Sequence, residues 1–164
     1  MFELKPLSAA AIESAKQKAA HFRLLNEPRL AESICRDILA VDPNDQEATI
    51  ALILSLSDQF GPGARVTEAM DLISTLATPF DREYYSGIIA ERKAISILKV
   101  SNPGAGQTAY DWLRCAMDHF DSAESLSPDG NDDGVLRWNT CARIINSRSD
   151  VRPANDGPAV TMLE

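Results

Sequence analysis

The chain has 164 residues, and its 16 Lys plus Arg against 24 Asp plus Glu give a formal net charge of −8. Apolar residues make up 45% and aromatics 6%, which excludes collagen-like, disulfide-framework and wholly disordered classes. The length suits one domain with a real core, and the acidic balance argues against a general nucleic-acid binder.

Hydrophobic spacing is helical nearly throughout. Ser8 is placed to cap a first helix from about Ala9 to Leu25, with Ala15, Ala19 and Phe22 on one stripe. Asn26-Glu27-Pro28 breaks it, and Pro28 suits the first turn of the next helix. There Leu30, Ile34, Cys35 and Ile38 form the face expected to be buried. Asp45 or Asn44 caps a third helix, from Gln46 to about Gln59.

Gly61-Pro62-Gly63 is a turn. A fourth helix opens near Thr67 and ends at Thr78-Pro79, with Ala69, Leu72, Ile73 and Leu76 apolar. Asp81 is expected to cap a longer fifth helix reaching Lys99, with Tyr84, Ile88, Ile95 and Leu98 inward. Residues 101–106 read as a loop. A sixth helix from about Thr108 to Leu126 carries Trp112, Ala116, Phe120 and Ala123 on one face. A seventh runs from about Asp132 to Ser147, and residues 149–164 read as a flexible C-terminal tail. The domain proper is thus residues 1–148. No segment shows sustained strand alternation.

Two segments repeat one another. Ala31-x3-Cys35-x2-Ile38-x4-Pro43 aligns with Ala116-x3-Phe120-x2-Ala123-x4-Pro128. Between them Ala69, Ile73 and Leu76 keep the rhythm, but Pro79 arrives two residues early. This pattern resembles the tetratricopeptide repeat (TPR), a helix–turn–helix unit of roughly 34 residues. Small residues let helices approach closely, large ones fill the gap between pairs, and proline stops the second helix. The resemblance implies an all-α fold: an α-α superhelix of about three irregular TPR-like helix pairs plus a C-terminal capping helix. It also implies a binding module whose concave groove, lined by the first helix of each pair, takes a protein or peptide partner, without catalysis. Some members of that family clamp a partner's terminal carboxylate with Lys and Asn along the groove helices. Lys16 stands in such a place, but Ala20 sits four residues on, where Asn is needed.

The binding candidates are Asn139, Arg143 and Asn146, a polar strip beside the apolar face of helix seven, with Lys16 and Tyr85. Amide and guanidinium groups on such a strip suit a partner's backbone or carboxylate. The structural alternative makes Asp132 or Asp133 a cap, pairs Asp133 with Arg137, and buries Trp138. An exposed Tyr85 would be a natural anchor.

Other motifs fail. Asp129-x-Asn131-x-Asp133-Gly134 starts like a calcium loop, but Thr140 stands where a bidentate Glu is needed. Gly104-Ala105-Gly106 lacks the P-loop Lys and a preceding strand. His21 and His119 have no ligand at metal spacing. Cys35, Cys115 and Cys141 form no C-x-x-C and each lies in an apolar helical pattern, so all three are expected in the core of a protein from a reducing compartment. The opening residues lack the basic-then-apolar pattern of a signal peptide. The run from Ile50 to Leu56 is too short to cross a bilayer. The sequence therefore predicts a cytoplasmic protein with no cofactor, no metal and no membrane or nucleic-acid partner. The alternatives are a chaperone of an exported protein client, a small-molecule binder or enzyme, and a homodimer formed through the irregular middle.

Overall fold

The computed structural model describes residues 2–61, 66–100 and 102–154. Among them are seven α-helices and no strand: α1 (Ile12–Leu24), α2 (Pro28–Val41), α3 (Gln46–Asp58), α4 (Val66–Ile73), α5 (Pro79–Leu98), α6 (Ala105–Leu126) and α7 (Asp133–Ser147). None is long and apolar enough to cross a membrane.

Local chemistry sets the helix ends. Of the two caps the sequence offers for α3, Asp45 and Asn44, Asp45 is the one used, accepting from the Ala48 amide at 2.8 Å. Three other starts differ from expectation. Residues 9–11 form a 3-10 turn ahead of α1, and the Ser8 side chain makes no cap hydrogen bond. The cap of α5 is Thr78, not Asp81: its hydroxyl accepts from the Asp81 amide at 2.9 Å, and Pro79 takes the first turn, where its missing N–H costs nothing. Helix α6 begins at Ala105, inside the expected loop, because Gly104 turns the chain at φ +79 and frees Ala105 to start the helix. At α7 the Asn131 Oδ1 accepts from the Asp133 amide at 3.0 Å, while Asp132 makes no side-chain cap bond.

Each helix packs on its neighbour in the chain, and α3 also touches α1 and α5. The odd-numbered helices α1, α3 and α5 therefore adjoin in that order. Helix α7 reaches α5 through Arg137, which donates to Glu91 Oε2 at 3.4 Å. On the other side Arg36 of α2 pairs with Glu68 of α4.

Two apolar clusters make most of the core. One joins Ala19, Cys35, Ile53, Leu56, Leu76 and Ile89 across α1 to α5. The other joins Ile88, Leu113, Ala116, Phe120, Cys141 and Val151. Adjacent residues Ile88 and Ile89 serve different clusters, so α5 is the shared wall. In the second cluster Phe120 is fully buried. A Cβ on Gly87 would sit 2.5 Å from its ring, and one on Gly134 would sit 2.8 Å from its carbonyl oxygen. Only glycine admits that approach.

Burial corrects three expectations. Leu30 is 47% exposed, because the second-helix face that meets α1 and α3 is the Ala31–Cys35–Ile38 stripe one residue round. Cys115 is exposed, while Cys35 and Cys141 are buried. The chain does not leave the domain at residue 149: Val151 is 2% exposed, and the Asp150 carbonyl lies so close to Gly106 that a Cβ there would meet it at 2.1 Å. The expected tail is thus anchored at its start, and residues 155–164 lie outside the described residues, as do Pro62 and Gly63 of the expected turn.

Candidate functional site

Where α1, α2 and α3 meet, the surface carries an apolar concavity with charged residues at its rim. A cavity of about 180 Å³ opens between α1 and α3. Ala19, Ala20, Ala51 and Leu54 wall it, and buried Cys35 and Ile38 floor it. On the α1 side the wall is small, because Ala19 and Ala20 face the space; on the α3 side Ile50 and Leu54 stand beside Ala48 and Ala51. Burial in this floor pushes the Cys35 thiol up to about 11, which makes it inert as a nucleophile.

One end of the cavity is acidic. Lys16 Nζ lies 2.9 Å from Glu13, 3.0 Å from Asp45 and 3.2 Å from Glu47. Those carboxylates, Glu13 and Asp45 first, hold the ammonium well above its ordinary 10.5. Its three donors face three carboxylates, so Lys16 ties α1 to the start of α3. Burial works against the Asp45 charge, but the Ala48 amide and Lys16 outweigh it and keep the carboxyl below its usual range.

The other end is basic. Asp58 at the end of α3 accepts from Arg23 Nε at 2.9 Å and, through its second oxygen, from Arg92 Nη1 at 2.9 Å. Arg92 also donates to the Leu54 carbonyl at 2.9 Å and the Ser57 hydroxyl at 2.6 Å. Burial pulls the Arg92 pKa down, and Asp58 opposes that most strongly. Arg23 differs: Nε is its only donor used among the described residues, so both Nη groups remain available.

Next to Arg92 on α5, Glu91 is 2% exposed and is met by the single 3.4 Å contact from Arg137. That distance is long for an N–H···O bond. Burial pushes the Glu91 carboxyl above its ordinary 4.5 despite Arg137 and Arg92. The expected Asp133–Arg137 pair is not formed; Arg137 turns to α5 instead, where a buried carboxylate attracts it more strongly than an exposed one.

The sequence-predicted residues do not converge. Lys16 lies at the acidic end of the cavity. Tyr85 is half-buried on α5, its ring packed against both core clusters, and burial pushes its hydroxyl up to about 12. Asn139, Arg143 and Asn146 share a strip of α7; Arg143 and Asn146 are exposed and Asn139 half-buried. No side-chain hydrogen bond ties these three to another described residue. Trp138 is partly buried in the second cluster, and its indole Nε1 has no hydrogen-bond partner. His119 sits at the helix surface and meets Glu83 at 2.8 Å.

Sequence reasoning missed Arg23, Asp58, Arg92 and Glu91. A helical wheel puts Tyr85 and Arg92 seven residues apart on one α5 face, which is the one local signal. Their partners on α1, α3 and α7 are set by tertiary packing. No group of three or more His, Cys, Asp or Glu among the described residues is placed to hold a metal ion. Comparison with known proteins finds no family model, no curated protein and no solved structure that matches this chain.

Proposed function

We propose that this protein is a binding module of the TPR-like kind, which takes a segment of another protein on the face formed by α1, α3 and α5, without covalent chemistry. The observation that carries this reading is the α1–α3 cavity: apolar walls of alanines with Ile50 and Leu54, open to solvent, with charged groups at both ends. That is the make-up of a peptide-recognition groove, where an apolar anchor supplies affinity and flanking polar groups supply orientation. The sequential helix pairing and the adjoining odd-numbered helices support a superhelical arrangement in which such a face is concave. The reactive groups near the cavity favour binding as well. The Cys35 thiol is buried, and the arginines and carboxylates are engaged with one another.

The test is affinity capture from the source lysate with quantitative mass spectrometry. Three baits are compared: wild type, Ala20→Trp, and the Asn139→Ala/Arg143→Ala double variant. Ala20 is exposed and walls the cavity, so a tryptophan there fills it without touching the core. A protein held by wild type and lost only from Ala20→Trp places recognition in the groove. Loss only from the double variant moves it to the α7 strip. Nothing enriched over an unrelated acidic bait removes the reading.

A further inference from the structure

We infer that the α1–α3 groove is electrically polarised and selects a peptide with an acidic residue and a basic residue on either side of one apolar anchor. This rests on the groove reading above and adds the chemistry of the partner. At one end three carboxylates, Glu13, Asp45 and Glu47, surround the single ammonium of Lys16, leaving two negative charges in excess. Glu13 and Glu47 are mostly solvent-exposed, 78% and 71% at the side chain, so an incoming cation reaches them. At the other end two guanidiniums, Arg23 and Arg92, share the one carboxylate of Asp58, leaving one positive charge in excess.

The two guanidiniums are not equivalent. Arg92 is consumed by Asp58, the Leu54 carbonyl and Ser57. Arg23 spends only Nε, and its planar Nη pair can still accept a carboxylate in the bidentate geometry arginine favours. Between the two ends lies the apolar cavity, with Cys35 on its floor. Lys16 and Arg23 are seven residues apart on α1, about 10 Å along the axis. A partner matches that span with charges three residues apart when extended, or seven apart when helical. The apolar residue between them then falls over the cavity. Ordinary surface charge does not explain the pattern, because the chain is acidic as a whole yet turns basic at this one end of the groove.

The probe is a phage-displayed library of random linear peptides panned against the full chain. Parallel panning uses Arg23→Glu and the groove-filled Ala20→Trp, each first checked for wild-type helicity by circular dichroism. The expected result is a consensus with one acidic, one apolar and one basic position. Arg23→Glu should weaken the selected peptides by about ten- to a hundredfold, the usual weight of a charge-assisted hydrogen bond. Panning on Arg23→Glu should replace the acidic position with a basic one. Two failures are distinguishable. Peptides that compete at the groove and are lost with Ala20→Trp, yet bind Arg23→Glu unchanged, overturn the polarity and leave the groove standing. No enrichment on folded wild type, or enrichment indifferent to Ala20→Trp, overturns both. If Arg23→Glu disturbs the fold, Arg23→Gln removes the charge with a shorter, polar side chain and no like-charge contact to Asp58, and should lose the acidic position all the same.

Discussion

The two halves of the molecule bring helices together by different means. Between α5, α6 and α7, glycines let a large ring sit against bare backbone: Gly87 faces the Phe120 ring and Gly134 its carbonyl. The first 60 residues contain no glycine at all. There α1, α2 and α3 meet through alanines, and charged side chains span the gaps: Lys16 to Asp45, Arg23 to Asp58, and Glu32 to Gln59. The first arrangement fills space and tolerates no added methyl. The second holds helices by their rims and leaves a cavity between them. The groove lies where packing is incomplete, and that is where a partner can contribute atoms the chain itself does not supply.

The largest expected effect tests the tightly packed half. Phe120→Ala should destabilise the protein by about 3–5 kcal/mol in chemical denaturation. A loss under 1 kcal/mol would mean that α5, α6 and α7 collapse onto the space and that the glycine fit is not what specifies them.

Gly87→Ala sharpens the same point. Alanine favours a helix over glycine by about 1 kcal/mol, yet its Cβ would stand 2.5 Å from Phe120. The clash should win, for a net loss of about 1–3 kcal/mol. Pairing it with Phe120→Leu should recover part of that loss, and strict additivity would count against the contact.

Glu91 sits on the wall between the halves and yields a pH dependence. Its folded pKa is raised above the ordinary 4.5 by burial. Below 4.5 the group is protonated in both folded and unfolded chains and adds nothing. As pH rises past 4.5 the unfolded chain ionises first, so stability falls until the folded pKa is passed. Stability relative to Glu91→Gln should therefore drop as pH rises from 4.5 to the raised folded pKa and level off above it, read by urea unfolding at several pH values. A flat difference would show that Arg137 fully compensates the carboxylate.

In the groove-bearing half, Asp45→Ala should cost about 1 kcal/mol through the lost α3 cap, whereas Asp45→Asn should keep most of it because Asn also caps well. Equal losses would assign the effect to the Lys16 pair instead of the cap. The smallest change is expected on α7: Asn139→Ala/Arg143→Ala should shift stability by less than about 0.5 kcal/mol. Any binding defect in that variant is then a surface effect, read by comparing its affinity with its melting curve.

The sequence made some of these features legible and hid others. Helix number, the Asp45 cap, Pro28 and the stripe of Ala116, Phe120 and Ala123 follow from local spacing, and the structure has them all. The α6 start is hidden because Gly104-Ala105-Gly106 reads as a loop, and the Asp150 carbonyl that lies against Gly106 is distant in the chain. Leu30 is misleading because side-chain type alone ranks it above Ala31, while packing buries the alanine stripe. The groove's charges were invisible for a related reason. Arg23, Asp58 and Arg92 are unremarkable surface residues until three helices set them around one carboxylate. Lys16 stands out in the sequence as a lysine in a groove position, and in the fold three carboxylates already occupy it.

The contact of Gly106 with Asp150, backed by Val151 in the core, bears on the order in which the chain assembles. Each helix packs on the one just before it, so most of each can settle as soon as it is made. The start of α6 is the exception: its covering residues come after the whole of α7 has been added. During synthesis, α1 to α5 can close around the first cluster while α6 still lacks its seal. Completion of the second cluster then waits on the last short stretch beyond α7. A stall or cut between residues 148 and 151 would release a chain with its groove intact and its far end unlatched.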